Sequence, residues 1–312
     1  MRWIPTSFLI TLAAAGGLSA QVLTVDQAVD EAMTTNPAVQ AAEARAGAGV
    51  QRTKQAKGHR WGRLDLAETF NYSNNPAEVF ALTLNQGRFD FDEFFSSDPN
   101  NPAGISTWMT TLDLTLPIYT GGKIGTRVEQ AETMAGADEE TWRHTAELVA
   151  FETSTAYVNL AKARENVELL GKARQTTVEH VKLAEAYAKQ GIILEADVLD
   201  ARVYLSEMDD LLQQATSGAQ LAEAALNFHM GADQATPRSL APLPPPQSIT
   251  GELGDWTSAA VEKRHDLAAA RQQLAAGRLE TKAAKSGYLP EVAVVGRYGL
   301  YDDTIFGSNG HS

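Results

Sequence analysis

Apolar and small residues recur at heptad spacing along two proline-free stretches, residues 122–190 and 197–229. In the first stretch, one seven-residue step carries Ala135, Trp142, Val149, Ala156, Ala163, Leu170 and Ala184. Thr177 interrupts this row, and Thr153 and Arg174 interrupt the row beside it. In the second stretch, two uninterrupted rows carry Val198, Leu205, Leu212, Ala219 and Leu226, and Ala201, Met208, Ala215 and Ala222.

Such sustained spacing is typical of coiled-coil helices. The first helix would extend on the order of 100 Å, since an α-helix rises by 1.5 Å per residue. Because only a short connection separates the two stretches, they predict an antiparallel helical hairpin. An ordinary coiled-coil stalk would show the same pattern, so the helices alone do not identify a function.

Two other segments alternate between apolar and polar residues, which indicates β-strands with one apolar face. The apolar positions are Leu64, Leu66, Phe70 and Tyr72 in the first segment, and Leu112, Leu114, Leu116 and Ile118 in the second. In a membrane barrel the apolar face would contact lipid. We therefore predict that the lipid-facing residues are Leu64, Leu66, Leu112, Leu114, Leu116 and Ile118. A soluble β-sandwich edge would alternate similarly, but the chain offers no obvious partner sheet, and Glu68 falls on the apolar face.

The segment between these strands, residues 73–106, is rich in Asn, Pro, Phe and Asp. This composition predicts a long loop at the outer mouth of such a barrel. Within it, the alternation of Phe80, Leu82 and Leu84 predicts a short extension of strand structure.

A shift of 228 residues lays the beginning of the chain over its end. Residues 36–39 then overlie residues 264–267, and the alternating segment 64–72 overlies a second alternating segment, 292–300. The same order of helix, small-residue break and strand predicts an internal repeat. Chance similarity between alanine-rich helices is the alternative. Because the second copy stops shortly after its first strand, we expect it to be incomplete.

The first 20 residues have the composition of a secretory signal peptide. Arg2 precedes a mostly apolar run that ends in Leu18-Ser19-Ala20, where Ser19 and Ala20 supply small side chains for cleavage. The run is shorter than the ~20 residues that a membrane-spanning helix needs, and a buried N-terminal helix is the alternative. The predicted organisation is a signal peptide (1–20), a first repeat of helix, two strands and hairpin (21–230), a proline-rich linker (231–256) and the incomplete start of a second repeat (257–312).

Composition narrows the range of functions. The chain has 26 Lys and Arg against 39 Asp and Glu, a formal charge of −13, which argues against a nucleic-acid-binding surface. It has no cysteine, and therefore no disulfide, thiolate metal site or lipidated cysteine. The six histidines form no pair at metal-binding spacing, and Gly121-Gly122-Lys123 lacks the upstream glycine of a phosphate-binding loop. We therefore predict no enzymatic activity, no metal site and no cofactor.

The connection between the two coiled-coil stretches begins at Gly191. A glycine can take the left-handed conformation that ends a helix. Glu195 and Asp197 suit the positive N-terminal end of the returning helix. A turn with a purely structural role would need the same features.

The order of these features resembles the TolC-type outer membrane factor (outer membrane efflux protein) family, apparently truncated within its second repeat. At its hairpin tip that family has a glycine, an apolar residue, Ser or Thr, and then Asp-Val-Leu. The strand 114–119, followed by Gly121-Gly122, also resembles the family's passage from strand to helix. The resemblance implies that the tip contacts a periplasmic adaptor, through Gly191, Ile193, Asp197, Val198 and Leu199. Leu194 stands where the family often has a capping hydroxyl.

The resemblance also implies the fold and the cellular role. The fold would be mainly α with membrane β-strands, a long antiparallel coiled-coil hairpin plus strands of a trimeric transmembrane β-barrel. The protein would be the outer-membrane channel of a tripartite efflux pump or type I secretion system, with its helices in the periplasm. Its partners would be an adaptor (membrane fusion protein), an inner-membrane pump, outer-membrane lipid and two further copies, but no nucleic acid. The alternative is a periplasmic coiled-coil adaptor or structural protein without a pore.

Overall fold

The computed structural model describes residues 22–246, 248 and 250–307, so the predicted signal peptide (1–20) lies outside the described residues. The helices are α1 Val25–Thr35, α2 Pro37–Gly58, α3 Pro76–Asn85, α4 Phe91–Ser96, α5 Lys123–Lys189, α6 Glu195–His229, α7 Leu253–Lys263 and α8 His265–Lys285. The strands are β1 Arg63–Ser73, β2 Ile105–Tyr119 and β3 Val292–Asp302. Helix α7 begins inside the segment predicted as a proline-rich linker (231–256).

Helices α5 and α6 form the hairpin that the heptad pattern predicts, with 67 and 35 residues. Two of the polar residues that interrupt the pattern, Thr153 and Thr177, are buried like their apolar neighbours. The Thr177 hydroxyl donates a hydrogen bond to the carbonyl of Ala173, one turn earlier, at 3.0 Å. Arg174 instead forms an ion pair with Asp209 on the other helix of the hairpin. A short polar side chain in the seam can thus bond to its own helix, as Thr177 does, whereas the buried Thr153 hydroxyl has no hydrogen-bond partner among the described residues.

The segment after residue 252 reproduces the local structure of the N-terminal segment. Helices α7 and α8 begin 228 residues after α1 and α2 and match their lengths to within one residue. The residue between the two helices is extended in both cases, with φ −66° and ψ 122° at Asn36, and φ −66° and ψ 115° at Arg264. Strand β3 then has 11 residues, as β1 has. The two segments thus agree element by element.

The strands form one antiparallel sheet in the order β1-β2-β3. Strand β1 pairs with β2 without interruption, from Arg63 opposite Thr115 to Ser73 opposite Ile105. Strand β3 pairs with the other edge of β2, and a register irregularity lies near Pro117, which has no N–H to donate. Helices α2 and α5 connect to the end of the sheet near Arg63 and Tyr119. The β1–β2 connection therefore lies at the opposite end of the sheet.

The expected loop over residues 73–106 is wrong over much of its length, and so is the expected strand extension at Phe80, Leu82 and Leu84. These three residues lie in α3, and α4 follows within the same connection. Each helix begins with a strong capping residue: the Asn75 side chain accepts from the N–H groups of Ala77 and Glu78, and Asp90 caps α4 in the same way. Local capping and a cluster of phenylalanines outweigh the apparent alternation.

The chain divides into two compact units. The first takes in the described residues up to Ala44 and residues 141–264, and the second takes in residues 45–140 and the described residues from 265 onward. The core of the first unit consists of buried apolar side chains from α1, α5, α6 and the segments beside them. They are Leu23, Ala28, Ala156, Tyr157, Leu160, Leu226 and Met230.

Two extended segments close this core. Leu23 pairs in parallel with Leu240, its N–H donating to the Ser239 carbonyl at 2.7 Å. The Tyr157 hydroxyl donates to the carbonyls of Leu23 at 2.8 Å and Ala241 at 3.0 Å. Burial raises the pKa of Tyr157, so the phenol stays protonated and remains a donor. One α5 side chain therefore holds both segments against the helices.

Arg238 stabilises the same core through polar contacts. Arg238 is largely buried and binds both carboxylate oxygens of Glu31 in α1, at 2.9 and 3.2 Å. Its Nε donates to the side-chain oxygen of Asn227 in α6 at 2.8 Å. Glu223 accepts from the backbone N–H of Arg238 at 2.7 Å and from Arg164 of α5 at 2.8 Å. The charges of this network are paired, as partly buried charges need to be.

In the second unit, the start of α5 packs closely against α2 and α8. A Cβ atom on Gly49 would lie 2.8 Å from Asp138 Oδ2 and 3.2 Å from Ala135 Cα. Ion pairs flank these contacts: Lys57 with Glu132 at 2.8 Å, Lys282 with Glu129 at 3.5 Å, and Arg127 with Glu280. Small residues thus allow the helix axes to approach, and exposed charges line the edges.

We expect Tyr157→Phe to destabilise the first unit by about 1–3 kcal/mol, because the carbonyls of Leu23 and Ala241 lose their shared donor. Tyr204→Phe is the matched control, since Tyr204 is 53% exposed on α6. Chemical unfolding followed by helical circular dichroism measures both. Equal unfolding midpoints for the two variants would contradict the role given to the Tyr157 hydroxyl.

Candidate functional site

The turn of the hairpin is closed by a hydrogen-bonded motif at the end of α5. Gly191 has φ +73°, a left-handed conformation that residues with a Cβ disfavour. The N–H of Ile192 donates to the carbonyl of Tyr187 at 3.0 Å, and the N–H of Gly191 donates to that of Ala188 at 2.9 Å. This pair of bonds is the Schellman arrangement, which satisfies the last carbonyls of a helix. The predicted role of Gly191 in shaping the turn thus has a definite geometry.

Helix α6 begins at the other side of the turn without a capping hydroxyl. Leu194 is its N-cap residue, and a leucine side chain has no oxygen to accept a hydrogen bond. The Asp197 carboxylate instead accepts from the backbone N–H of Leu194 at 3.0 Å. This is one half of a capping box, and it places a negative charge at the positive end of the helix. Asp197 therefore compensates in part for the missing hydroxyl at Leu194.

The predicted tip residues differ in how far they can reach a partner. Val198 is 8% exposed and packs within the hairpin, and Ile193 is half-buried. Leu199 is 59% exposed and is the predicted residue best placed to touch another protein. The sequence pattern missed two apolar neighbours: Ile192 is 62% exposed and Leu194 is 73% exposed. The exposed apolar tip, as we call it below, consists of Ile192, Leu194 and Leu199.

A largely exposed ion pair links the two helices just behind the turn. Arg202 of α6 forms an ion pair with Glu185 of α5. The hydrogen bond from Arg202 and its positive charge lower the pKa of Glu185. The pair therefore contributes stability above the usual carboxyl range and loses it as the pH falls through the lowered pKa. At neutral pH it steadies the tip.

The sheet has the two faces that the alternation predicts. One face brings together cross-strand apolar pairs, Leu64 with Leu114 and Leu66 with Leu112, and the rings of Phe70 and Trp108, whose centroids lie 5.0 Å apart. Of the six predicted lipid-facing residues, five are exposed and Leu116 is half-buried. The exposed fractions are 64% for Leu64, 64% for Leu66, 39% for Leu112, 42% for Leu114 and 61% for Ile118. We call this surface, with Val294 and Tyr298 of β3, the apolar face.

The other surface, the polar face, is lined by charged and hydroxyl side chains. Asp65 lies opposite Asp113, and Asp113 lies opposite Arg297, with which it forms an ion pair. Arg63 binds Asp65 at 2.6 Å and supplies a second positive charge. Glu68, the acidic exception on the apolar face, accepts a hydrogen bond from Thr110 directly opposite. The Glu68 carboxylate thus has a hydrogen-bond partner within the sheet.

Within the described residues, no helix is long and apolar enough to cross a membrane. In the same part of the chain, no group of three or more His, Asp or Glu side chains is arranged to hold a metal ion.

Most of the chain matches one protein family. The model of the family described as "Outer membrane efflux protein" (OEP) matches residues 28–232, more than half of the sequence. The chain belongs to the outer membrane efflux protein family. The match includes β1, β2, the whole hairpin and its tip, and it ends before β3. Membership confirms the predicted resemblance, and the family consists of channels rather than enzymes.

Individual relatives of this efflux family member are distant. It is 33% identical to Protein CyaE of Bordetella pertussis over 140 residues, which are 44% of this chain and 29% of that protein. Its fold is similar to that of a membrane protein from Pseudomonas aeruginosa, with a TM-score of 0.70 and 21% identity over 91% of this chain and 62% of the other. It is also similar to the CmeC outer membrane channel of Campylobacter jejuni, with a TM-score of 0.68 and 15% identity over 90% and 61%.

At these identities the structural likeness shows the fold alone. It confirms the predicted fold class, a long helical hairpin combined with antiparallel strands. The chain spans less than two thirds of the length of each of these relatives.

We expect Gly191→Ala and Gly171→Ala to change stability in opposite directions. Alanine at the left-handed position of the turn costs about 1–2 kcal/mol, although an added Cβ would meet nothing within 4 Å. Gly171 lies inside α5 and also has open space around it, so alanine there gains about 0.5–1 kcal/mol of helix propensity. The free energy of unfolding of each variant measures the effect. A shift of both in the same direction would contradict the assigned turn geometry.

Proposed function

We propose that this protein is the outer-membrane channel component of an export system, either a tripartite efflux pump or a type I secretion system. The observation that carries the proposal is the family match across β1, β2 and the hairpin. The two-faced sheet and the long hairpin give this assignment a physical basis. Substrates would leave passively through a water-lined passage, without covalent chemistry at any residue.

The sheet would contribute to a transmembrane β-barrel shared by three copies of the chain. Exposed leucines on one face suit contact with lipid, because apolar surface is stabilised when it leaves water. The polar face, with Asp65, Asp113 and Arg297, would line the aqueous lumen. Closure into a barrel would also pair the strand edges that three strands leave open. The helices would continue this passage in the periplasm.

The exposed apolar tip would be the docking site for a periplasmic adaptor protein. Ile192, Leu194 and Leu199 expose apolar surface at a turn that Gly191 and Asp197 hold in one conformation. A preorganised turn loses little conformational entropy on binding. Through the adaptor, an inner-membrane pump would supply the energy, and the adaptor would favour the open state of the channel. Val198 would act from within the hairpin by keeping this shape.

The barrel proposal is tested by moving one charge between the two faces of β1. Leu66→Arg places a cation on the apolar face, which costs about 2–4 kcal/mol near the middle of a bilayer. Ala67→Arg places the same charge on the adjacent, polar-face position and is the matched control. We expect the unsubstituted protein and Ala67→Arg to be recovered as trimers from outer-membrane fractions, and Leu66→Arg to be depleted there.

Recovery of the unsubstituted protein in the soluble periplasmic fraction would overturn the channel proposal. It would favour a periplasmic coiled-coil adaptor instead. Equal membrane recovery of the two arginine variants would overturn the assignment of the lipid-facing surface.

The docking proposal is tested by placing a photo-crosslinking amino acid at Leu199 in cells. We expect an adduct with a periplasmic protein that carries a helical hairpin, because Leu199 is 59% exposed beside the turn. The same amino acid at Gln214, an exposed position of α6 far from the turn in sequence, is the control and should give no such adduct. Equal adducts at both positions, or none at Leu199, would contradict docking at the tip.

A further inference from the structure

The β1–β2 connection is a small folded element rather than a loop. Helices α3 and α4 and the turn between them carry five phenylalanines, whose neighbouring ring centroids lie 5.0–5.6 Å apart. The five are Phe80, Phe89, Phe91, Phe94 and Phe95. This spacing is typical of favourable aromatic pairs. We call residues 76–97 the aromatic insertion.

The aromatic insertion is attached to the polar face of the sheet. The Gln86 side-chain amide donates to the Thr107 hydroxyl at 2.7 Å and to the Ser106 carbonyl at 2.9 Å. Thr107 is 1% exposed and Gln86 is 7% exposed, so the contact excludes water. Because β2 pairs with β1 without a bulge, Thr107 lies on the same face as Thr111 and Asp113. The insertion therefore covers the face that carries the polar residues.

A second contact joins the aromatic insertion to the residue that follows β3. Arg88 forms an ion pair with Asp303 at 3.2 Å. Asp303 directly follows β3, in a bend at the end of that strand. The two attachments thus join neighbouring residues of the insertion to β2 and to the residue after β3. They also lie at the end of the sheet opposite to α2 and α5.

The water-exposed surface of the insertion is both aromatic and acidic. Phe91 is 69% exposed and Phe95 is 79% exposed. The segment 76–98 contains one basic residue, Arg88, and five exposed acidic residues. The acidic residues are Glu78, Asp90, Asp92, Glu93 and Asp98. In the proposed barrel, large apolar side chains on the polar side of the sheet would have no lipid to contact.

We propose that the aromatic insertion forms a constriction at the outer end of the export passage and selects cargo there by charge. The inference rests on the proposed function, in which the polar face lines the lumen. Three copies of the insertion would then project into one lumen and narrow it with phenylalanine rings. Their acidic groups would attract cations and repel anions, as carboxylate rings do in other pores. Phe91, Asp92, Glu93 and Phe95 are the specificity-determining residues.

The position of the insertion is tested by single-cysteine substitution, since the 312 residues contain no cysteine. The intact protein is reconstituted in planar bilayers, and Phe91→Cys channels are treated with a sulfonate-bearing methanethiosulfonate reagent. We expect the conductance to fall by roughly twofold, because each modified residue adds bulk and charge in the lumen. Thr111→Cys on the polar face should also respond, and Leu66→Cys on the apolar face should not.

The charge selectivity is tested by the reversal potential under a potassium chloride gradient. Asp92→Asn with Glu93→Gln should move it towards the anion side, whereas Asp90 is left unchanged because it caps α4. No current from the unsubstituted protein would overturn the proposed channel and this inference with it. Currents in which Thr111→Cys responds and Phe91→Cys does not would overturn only the constriction. An unchanged reversal potential would overturn the selection by charge.

Discussion

The register of the three strands determines which side chains share each face of the sheet. Side chains alternate along a strand, so a shift of one residue would exchange the two faces completely. Uninterrupted pairing between β1 and β2 prevents such a shift, and side-chain pairs such as Thr110 with Glu68 and Arg297 with Asp113 agree with it. Once the register is set, leucines gather on one surface and charges on the other. The same register assigns the aromatic insertion to the polar face.

Polar side chains in and around the helical hairpin make specific hydrogen bonds to the backbone. Thr177 bonds to its own helix, and Asn227 donates to the carbonyl of Thr236 at 2.7 Å. Tyr157 and Arg238 then join the hairpin to segments that are remote in sequence. Polar groups in this core therefore specify which segments meet, while apolar burial supplies most of the stabilisation.

The two candidate surfaces combine rigid support with exposed apolar groups. At the tip, the Schellman bonds and the Asp197 cap hold the backbone, so that Leu199 and its neighbours stay exposed. At the β1–β2 connection, Gln86 and Arg88 hold a phenylalanine cluster whose outermost rings face water. In both places, polar bonds to the backbone or to neighbouring elements fix a surface that is itself apolar. Such an arrangement suits recognition or filtering.

Much of the architecture can be predicted from the sequence, because short-range periodicity indicates helices and strands. Heptad spacing determined the hairpin to within one or two residues at most helix ends, and period-two alternation determined β1, β2 and the composition of their faces. The offset of 228 residues matches the recurrence of α1 and α2 as α7 and α8. The acidic residues beside Gly191 marked the turn correctly.

The tertiary structure decided what depends on contacts between distant residues. The helices of the aromatic insertion are short and stabilised by their caps and by ring packing, so their sequence resembled a loop with a strand. The heptad row predicted that Val198 lies in the seam, where it is buried, but the exposure of Leu194 depends on how the turn leaves α5, which heptad spacing does not resolve. The side of the sheet that the insertion covers was set by Gln86 and Thr107, 21 residues apart. Periodicity is a local property that can be read from the sequence, whereas contacts between residues that are remote in sequence form only when the chain folds.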